Sequence, residues 1–540
     1  VSVYVPESFT EDERRTLAPY FSNLEGPVFA LVGLPEVVKG ALFARYSRSA
    51  KSLRRLFLDE FAADLDGAPP VVATGDAAAA ALYERVFVEY GDDSVAQLGG
   101  VHLACEQASN VLTKILEWGR LMSYLEQSTR YIAYDARLGG RYRFHRDEEV
   151  LGGPLGTRYV GEMDRLFDSY SRVLHRAIEV VRRSVPKDTS DSDFVYRQAT
   201  RAKALDATRG MLPAAALSNV GIYGSGQAYE ALLLRMRSHR LPEARLYADL
   251  MLVELRKVIP SFLRRVDLPD RGGEWSAYLA DTYDDTARLV DDLLGARDPD
   301  PVAEVELVDF DPDGEEKLVA AACYRHSHLP ESQIQRLVRA MSTDERTRIL
   351  ASYVGTRRNR RHRPGRAFER VDYRFDVLGD YGAFRDLQRH RLLTIEWQRL
   401  TPDHGYVVPE LVAEAGCEPD FVESMERSAD LYRALRPRHP EQASYAVTMA
   451  HRMRYVMQFN AREAMHLLEL RSAPQGHPSY RRVAQEMHRQ IAEVAGHRAV
   501  AAAMVHVSKD TPALERLEAE RRSERRQGPR EHRVTPEVAG

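Results

Sequence analysis

Arg389-His390-Arg391-Leu392-Leu393-Thr394-Ile395-Glu396-Trp397-Gln398-Arg399-Leu400 sets three cationic residues ahead of a run that alternates polar and apolar positions. Just upstream, Val371-Asp372-Tyr373-Arg374-Phe375-Asp376-Val377 alternates with a period of two, which predicts a half-buried strand. The same order of features stands far earlier in the chain. Val101-His102-Leu103-Ala104-Cys105 alternates briefly, and a helix-like run then leads into Trp118-Gly119-Arg120-Leu121-Met122-Ser123-Tyr124-Leu125-Glu126-Gln127-Ser128-Thr129-Arg130-Tyr131. Strand, helix and polar cluster occur twice in one order, so the chain reads as two related halves.

Other segments repeat at nearly the same interval. A helix end, Leu42-Phe43-Ala44-Arg45-Tyr46-Ser47-Arg48, returns as Ala322-Cys323-Tyr324-Arg325-His326-Ser327-His328. Late in each half an apolar helix closes on Leu-Arg, at Leu232-Leu233-Leu234-Arg235 and at Leu467-Leu468-Glu469-Leu470-Arg471. The spacing to these arginines differs, so the first half carries an insertion, expected around the polar stretch from Lys187 to Asp193. Proline, glycine and acidic residues between Gly295 and Glu316 disfavour helix and mark a boundary. The expected division is a first domain over 1–295, a linker over 296–316, a second domain over 317–514, and a charged, disordered tail over 515–540. Helical periodicity covers 160–183, 227–262, 421–435 and 481–507, with one or two strands expected per half, so the fold class is α+β.

Composition narrows the function classes. A chain of 540 residues accommodates two or three domains. Its net charge of −4 gives no general reason to bind nucleic acid. The three cysteines, Cys105, Cys323 and Cys417, are far apart and make no CxxC pair, which disfavours a disulfide framework or a thiolate zinc site. No stretch approaches the ~20 apolar residues of a membrane span. The acidic start (Glu7, Glu11, Asp12, Glu13) lacks a signal pattern. The expectation is a cytoplasmic protein with no membrane and no nucleic-acid partner.

Guanidinium groups suit phosphates in fork geometry and stack on planar rings, so the Arg389–Arg391 cluster points to an anionic, planar ligand. Asn460, Glu463 and His466 share one helix face with Arg462 at its edge, a polar wall above a stripe of Met457, Met465 and Leu468. Gly224-Ser225-Gly226 lacks the third glycine of a dinucleotide loop and reads as a turn. His326 and His328 have no carboxylate partners nearby in sequence, and no metal is expected. Cys105 reads as core. There is no Walker A loop, HExxH or GxSxG.

These residues together resemble the flavin-dependent thymidylate synthases (ThyX), here as two tandem copies, each expected to hold a small antiparallel sheet with long helices. The family pattern is RHR, then Glu-x-Ser-x-Arg-Tyr, and much later Asn-Ala-Arg and Leu-Arg. The resemblance implies FAD held by Arg389, His390, Arg391, Asn460, Arg462 and His466. It implies a pyrimidine nucleotide held by Glu126, Gln127, Ser128, Thr129 and Arg130. Arg235 and Arg471 become the candidates for catalysis against the pyrimidine carbonyl. The halves have kept complementary parts. In the first half the RHR has become Trp118-Gly119-Arg120 and the Asn-Ala-Arg has become Gly224-Ser225-Gly226. In the second the nucleotide loop is shortened around Glu396 to Arg399 and lacks its serine. Composite sites built from unlike halves are therefore expected, in a homodimer that imitates the family's tetramer. The implied reaction is C5 methylation of dUMP or a related pyrimidine nucleotide, with methylenetetrahydrofolate and NADPH as co-substrates. The alternatives are flavin-dependent transfer to a different pyrimidine nucleotide, or a non-catalytic flavin- or nucleotide-binding assembly protein with decayed sites.

Overall fold

The computed structural model describes residues 4–34, 36–62, 100–189 and 192–510; the tail expected over 515–540 lies outside them. Two four-stranded antiparallel sheets share one topology. The first joins β1 (Val28–Leu31), β2 (Gly100–Ser109), β3 (Met122–Glu126) and β4 (Leu217–Ser225) in the order β1-β2-β4-β3. The second joins β5 (Val305–Phe310), β6 (Asp372–Asp380), β7 (Thr394–Trp397) and β8 (Arg452–Asn460) in the order β5-β6-β8-β7. The repeat read from the sequence is thus a repeat of topology, with four strands per half rather than one or two.

The long strands β2, β4, β6 and β8 each turn directly into a helix. Their last residues Ser109, Ser225, Asp380 and Asn460 are the N-caps of Asn110–Leu116, Gly226–Arg237, Tyr381–Leu387 and Ala461–Arg471. In each case a short polar side chain accepts a hydrogen bond from a first-turn N–H that the helix leaves unpaired. Gly224-Ser225-Gly226 is therefore a strand-to-helix junction, with Ser225 in the capping position that Asn460 holds in the other half.

Alternation was clear where one sheet face is open and weak where both are covered. β8 alternates buried and half-buried residues along its whole length, whereas β2 is buried almost throughout. The extra cover on β2 is an apolar cluster peculiar to the first half, in which Phe21, Phe29, Leu53, Phe57 and Ala104 pack together. Cys105 lies in β2 and is buried in the main core.

Several expected boundaries shift. The stretch 296–316 contains β5, an edge strand, so it is not a plain linker; its proline and aspartate residues flank the strand. The run 227–262 divides into Gly226–Arg237 and Pro242–Arg256, with Pro242 at the start of the second helix. The run 481–507 divides at Gly496, whose φ of +73° suits glycine, into Pro478–Glu493 and Arg498–Ala503. The insertion beside Lys187 is the helix Asp193–Thr208.

The halves meet along matching segments. Just before β4, Ala214 and Ala215 donate their N–H groups to Val447 O and Tyr445 O, at 2.7 and 3.0 Å. Just before β8, Met449 and Ala450 return the contact to Leu212 O and Gly210 O, at 2.9 and 2.8 Å. Tyr445 and Tyr381 also bond across the seam, to Glu243 and to Asn110 O. No described helix is long and apolar enough to cross a membrane.

Candidate functional site

Each half sends the segment after its second-strand helix onto the other half. Trp118 Nε1 donates to Ile395 O at 3.1 Å and Arg120 donates to Thr394 Oγ1 at 2.8 Å. Reciprocally, Arg389 donates to Glu126 Oε2 at 3.0 Å, while Arg391 donates to Ser123 Oγ at 3.2 Å and to Met122 O. The RHR segment and its degenerate counterpart therefore each lie on the third strand of the other half's sheet, β3 and β7 respectively.

Where Arg389 reaches the first half, Glu126 is fully buried and meets Lys114, Arg385 and Arg389 at 3.2, 2.7 and 3.0 Å. Burial alone would raise its carboxyl, but Arg385, Lys114 and Arg389 together hold it well below the ordinary carboxylate range. Arg130 forms a two-pronged pair with Asp206 at 2.6 and 2.7 Å and also donates to Tyr480 Oη at 2.9 Å. The guanidinium groups of Arg130 and Arg471 both lie against the Tyr480 ring, 6.0 and 5.5 Å from its centre. Gln127 and Ser128 bond instead to Ser49 O and Ser47 O, just past the repeated helix end. Thr129 is buried. Of the expected nucleotide loop, then, Glu126 and Arg130 face the second half, and both already hold partners there.

His390 is buried with both ring nitrogens engaged. Nδ1 lies 2.9 Å from Glu463, and Arg471 Nε lies 3.0 Å from Nε2. A guanidinium can only donate, so Nε2 accepts and Nδ1 carries the proton toward Glu463. Burial, reinforced by Arg471 and opposed by Glu463, pushes the ring down to about 4. His466 joins the same carboxylate at 3.4 Å. His390, Glu463 and His466 are close enough to surround one ion, yet the Nε2 lone pair is spent on Arg471 and Nδ1 bears the proton. A metal would have to break one of these bonds to find a lone pair on His390. His326 and His328 are exposed beyond the helix Gly314–Tyr324.

The unfolded chain protonates His390 from its ordinary value near 6.5 downward, the folded chain only from about 4. The unfolded state binds more protons in that window, so this contribution to stability is complete above pH 6.5 and falls steadily toward pH 4. Urea unfolding of wild type and His390→Gln should show the slope between pH 6.5 and 4 reduced in the variant.

Asn460 and Arg462 stand apart from the RHR cluster. Asn460 Oδ1 accepts from Glu463 N at 3.0 Å, and Arg462 turns to Pro364 O and Glu369 at 3.1 and 3.5 Å. Asn460→Ala should cost about 1 kcal/mol through the lost cap. Asn460→Ser should restore that stability, measured by thermal unfolding, whatever either variant does to ligand binding.

Where Trp118 reaches the second half, a cleft of about 310 Å³ is lined by Trp118, Arg120 and Arg235 from the first half and by Gln388, Arg391 and Thr394 from the second, among others. Arg235 lies over the Trp118 ring at 4.3 Å and donates to Ile115 O at 2.7 Å. Burial lowers it to about 10. Like Arg471, it has no carboxylate partner among the described residues. Two buried acceptors on the cleft residues, Glu117 Oε1 and Gln388 Oε1, have no hydrogen-bond partner. Acceptors beside guanidinium donors and an indole face suit a flat ring carrying both N–H and C=O groups, as a flavin or a pyrimidine does. Sequence reasoning missed Glu117 and Gln388. They hold the same place in the two repeats, immediately before Trp118 and Arg389, and aligning the repeats there would have shown them.

The family model described as thymidylate synthase complementing protein matches residues 43–261 and 306–496. A UPF0159 protein of Chlamydia muridarum is 37% identical over 524 residues, covering 95% of this chain and 98% of its own length. A UPF0159 protein of Thermoplasma acidophilum is 32% identical over 509 residues, covering 89% and 97%. Among solved structures, a flavin-dependent thymidylate synthase ThyX from Helicobacter pylori, complexed with FAD and dUMP, matches at 18% identity and a TM-score of 0.26. That match covers 35% of this chain and 93% of the other. A UMP/dUMP methylase PolB from Streptomyces cacaoi, bound with 5-Br dUMP, matches at 18% identity and a TM-score of 0.30, covering 38% and 96%.

Proposed function

The chain belongs to the thymidylate synthase complementing protein family, and from that premise we propose that it is an FAD-dependent C5 methylase of dUMP or a related pyrimidine nucleotide. Methylenetetrahydrofolate is the one-carbon donor and reduced nicotinamide recharges the flavin. The carrying observation is the pair Arg235 and Arg471. Each lies in the last turn of its helix, each lacks a carboxylate partner among the described residues, and each lies against an aromatic ring and touches its own half's crossing segment, at Trp118 and at His390. A guanidinium kept off carboxylates is free to meet charge that appears only during reaction.

Arg389, His390 and Arg391 are the residues proposed to hold FAD from the second half, with Asn460, Arg462 and His466 behind them. Bound flavin, once reduced, supplies the hydride. The chain's own residues bind and orient. Glu117 Oε1 and Gln388 Oε1 accept from ring N–H groups, Trp118 offers a stacking face, and Arg235 donates to a pyrimidine carbonyl. Arg130 is proposed for the nucleotide phosphate, with Gln127, Ser128 and Thr129 shaping its loop. Cys105 serves no nucleophilic role, since burial in β2 raises its thiol far above the ordinary value. Two chains are proposed to associate as a homodimer.

One observation favours the assembly-protein reading: Glu126 and Arg130 are already neutralised from within the chain. A phosphate at Arg130 must share it with Asp206 or displace that carboxylate. The visible absorption spectrum of the purified protein, followed by NADPH-driven bleaching with and without dUMP, separates the two. A flavin band that bleaches faster with dUMP is the expected result. Flavin and nucleotide binding with no effect of dUMP on bleaching would place the assembly-protein reading in front.

A further inference from the structure

A second, larger cavity of about 630 Å³ lies at the seam between the halves, bounded by the insertion helix Asp193–Thr208, the end of β6 and the helix Pro478–Glu493. Much of its wall is apolar, with Val408, Leu411, Ala450 and Val483 among the lining residues. Its size is that of a small-molecule pocket. It shares no residue with the cleft that holds Arg235 and Arg391.

Arg209 lines this cavity and is only 4% exposed. Its Nη1 donates to Asp386 at 3.2 Å, while Nη2 is buried with no hydrogen-bond partner. A buried guanidinium N–H without an acceptor is costly, and an acceptor supplied by a ligand removes the cost. Lys203 and Arg482 add positive charge to the lining. Of the acidic lining residues, Asp206 is committed to Arg130, Glu304 to Arg452 and Glu486 to Arg489, and Asp380 caps the helix that follows it through Ala383 N. Glu410 and Glu414 also line the cavity. The mixed charge disfavours a polyanion and suits a mostly apolar ligand with a single acidic group.

We propose that this cavity binds an amphipathic organic anion, its apolar body against Val408, Leu411, Ala450 and Val483 and one acidic oxygen on Arg209 Nη2. The site is separate from the Arg235 cleft and adjoins the proposed phosphate site through Asp206, which pairs with Arg130. Its occupant bridges the first half's insertion to the second half, so the insertion gains a purpose that the repeated core does not require.

The probe is 1-anilinonaphthalene-8-sulfonate, a flat apolar body with one anionic group, titrated into the full-length folded chain and followed by fluorescence. One saturable site per chain is expected. Val408→Trp, which fills the cavity, should weaken binding at least tenfold. Arg209→Gln should do the same for the sulfonate while leaving the uncharged N-phenyl-1-naphthylamine unaffected. If loss of the Asp386 partner unfolds that variant, the double substitution Arg209→Gln with Asp386→Asn keeps a neutral pair in its place. Absence of saturable binding to wild type, or unchanged affinity in Val408→Trp, overturns the site. Unchanged sulfonate affinity in the Arg209 variants overturns the anion assignment.

Discussion

Glu126→Gln is expected to destabilise the folded chain by about 3–5 kcal/mol, the range found when one member of a buried charged cluster is removed. The reason is arithmetic of charge. Glu126 is the acceptor for Lys114, Arg385 and Arg389. Lys114 keeps Glu117 at 2.6 Å when Glu126 is lost, but no other carboxylate pairs with Arg385 among the described residues. Glutamine keeps the size of the side chain and one acceptor oxygen, so the loss reports charge rather than a cavity. Because Arg385 and Arg389 belong to the second half and Glu126 to the first, the variant should also loosen the seam. The measurement is a urea unfolding curve for wild type, Glu126→Gln and Glu126→Asp. The wild-type carboxyl is held below its ordinary value near 4.5, so its contribution is present above that pH and is lost as pH falls toward the folded value. Below pH 4.5 wild type should therefore lose stability faster than Glu126→Gln. Equal unfolding midpoints at pH 7 would mean the cluster does not hold the halves together.

The fold was legible where the sequence repeats a local pattern. Strand periodicity at Val371–Val377, the two polar clusters that follow the strands, and the later Leu-Arg pairs at Arg235 and Arg471 were enough to read two copies of one α+β unit. Elements whose cues are local but masked by neighbours were lost. Val305-Glu306-Leu307 alternates as β5, yet aspartate and proline on either side read as a linker. Capping was also readable in principle, since Ser225 and Asn460 are both small polar residues at a strand's end; Ser225 was read only as part of a turn, and Asn460 as a flavin contact implied by the resemblance. What the sequence could not supply was pairing. Glu126 with Arg385, Arg391 with Ser123, and Trp118 with Ile395 join residues more than 250 positions apart, and no periodicity encodes such contacts. The same holds for Asp206, which takes Arg130, and Asp386, which takes Arg209. A motif shows which cations are present; only the folded seam shows which of them are already spent.

That distinction makes the two Leu-Arg arginines the sharpest test of the proposed reaction. Arg235→Ala should retain flavin absorbance and lower the dUMP-dependent acceleration of bleaching about 10²–10³-fold, the loss typical when a donor to developing charge is removed. Its guanidinium is nearly buried, leans on Trp118 and holds only the Ile115 carbonyl, so its removal costs little internal pairing. Arg471→Ala differs, because Arg471 also fixes the His390 ring through Nε2. That variant should lose flavin retention together with the nucleotide response, and Arg471→Lys should restore neither, since an ammonium cannot reproduce the fork that reaches both His390 and the Tyr480 ring. If Arg471→Ala abolishes the nucleotide response while Arg235→Ala leaves it intact, the working site lies at the junction of Arg471, Tyr480 and Arg130, where Asp206 must then yield to phosphate. If both variants respond to dUMP as wild type does, neither junction carries the chemistry, and the methylase reading fails with them.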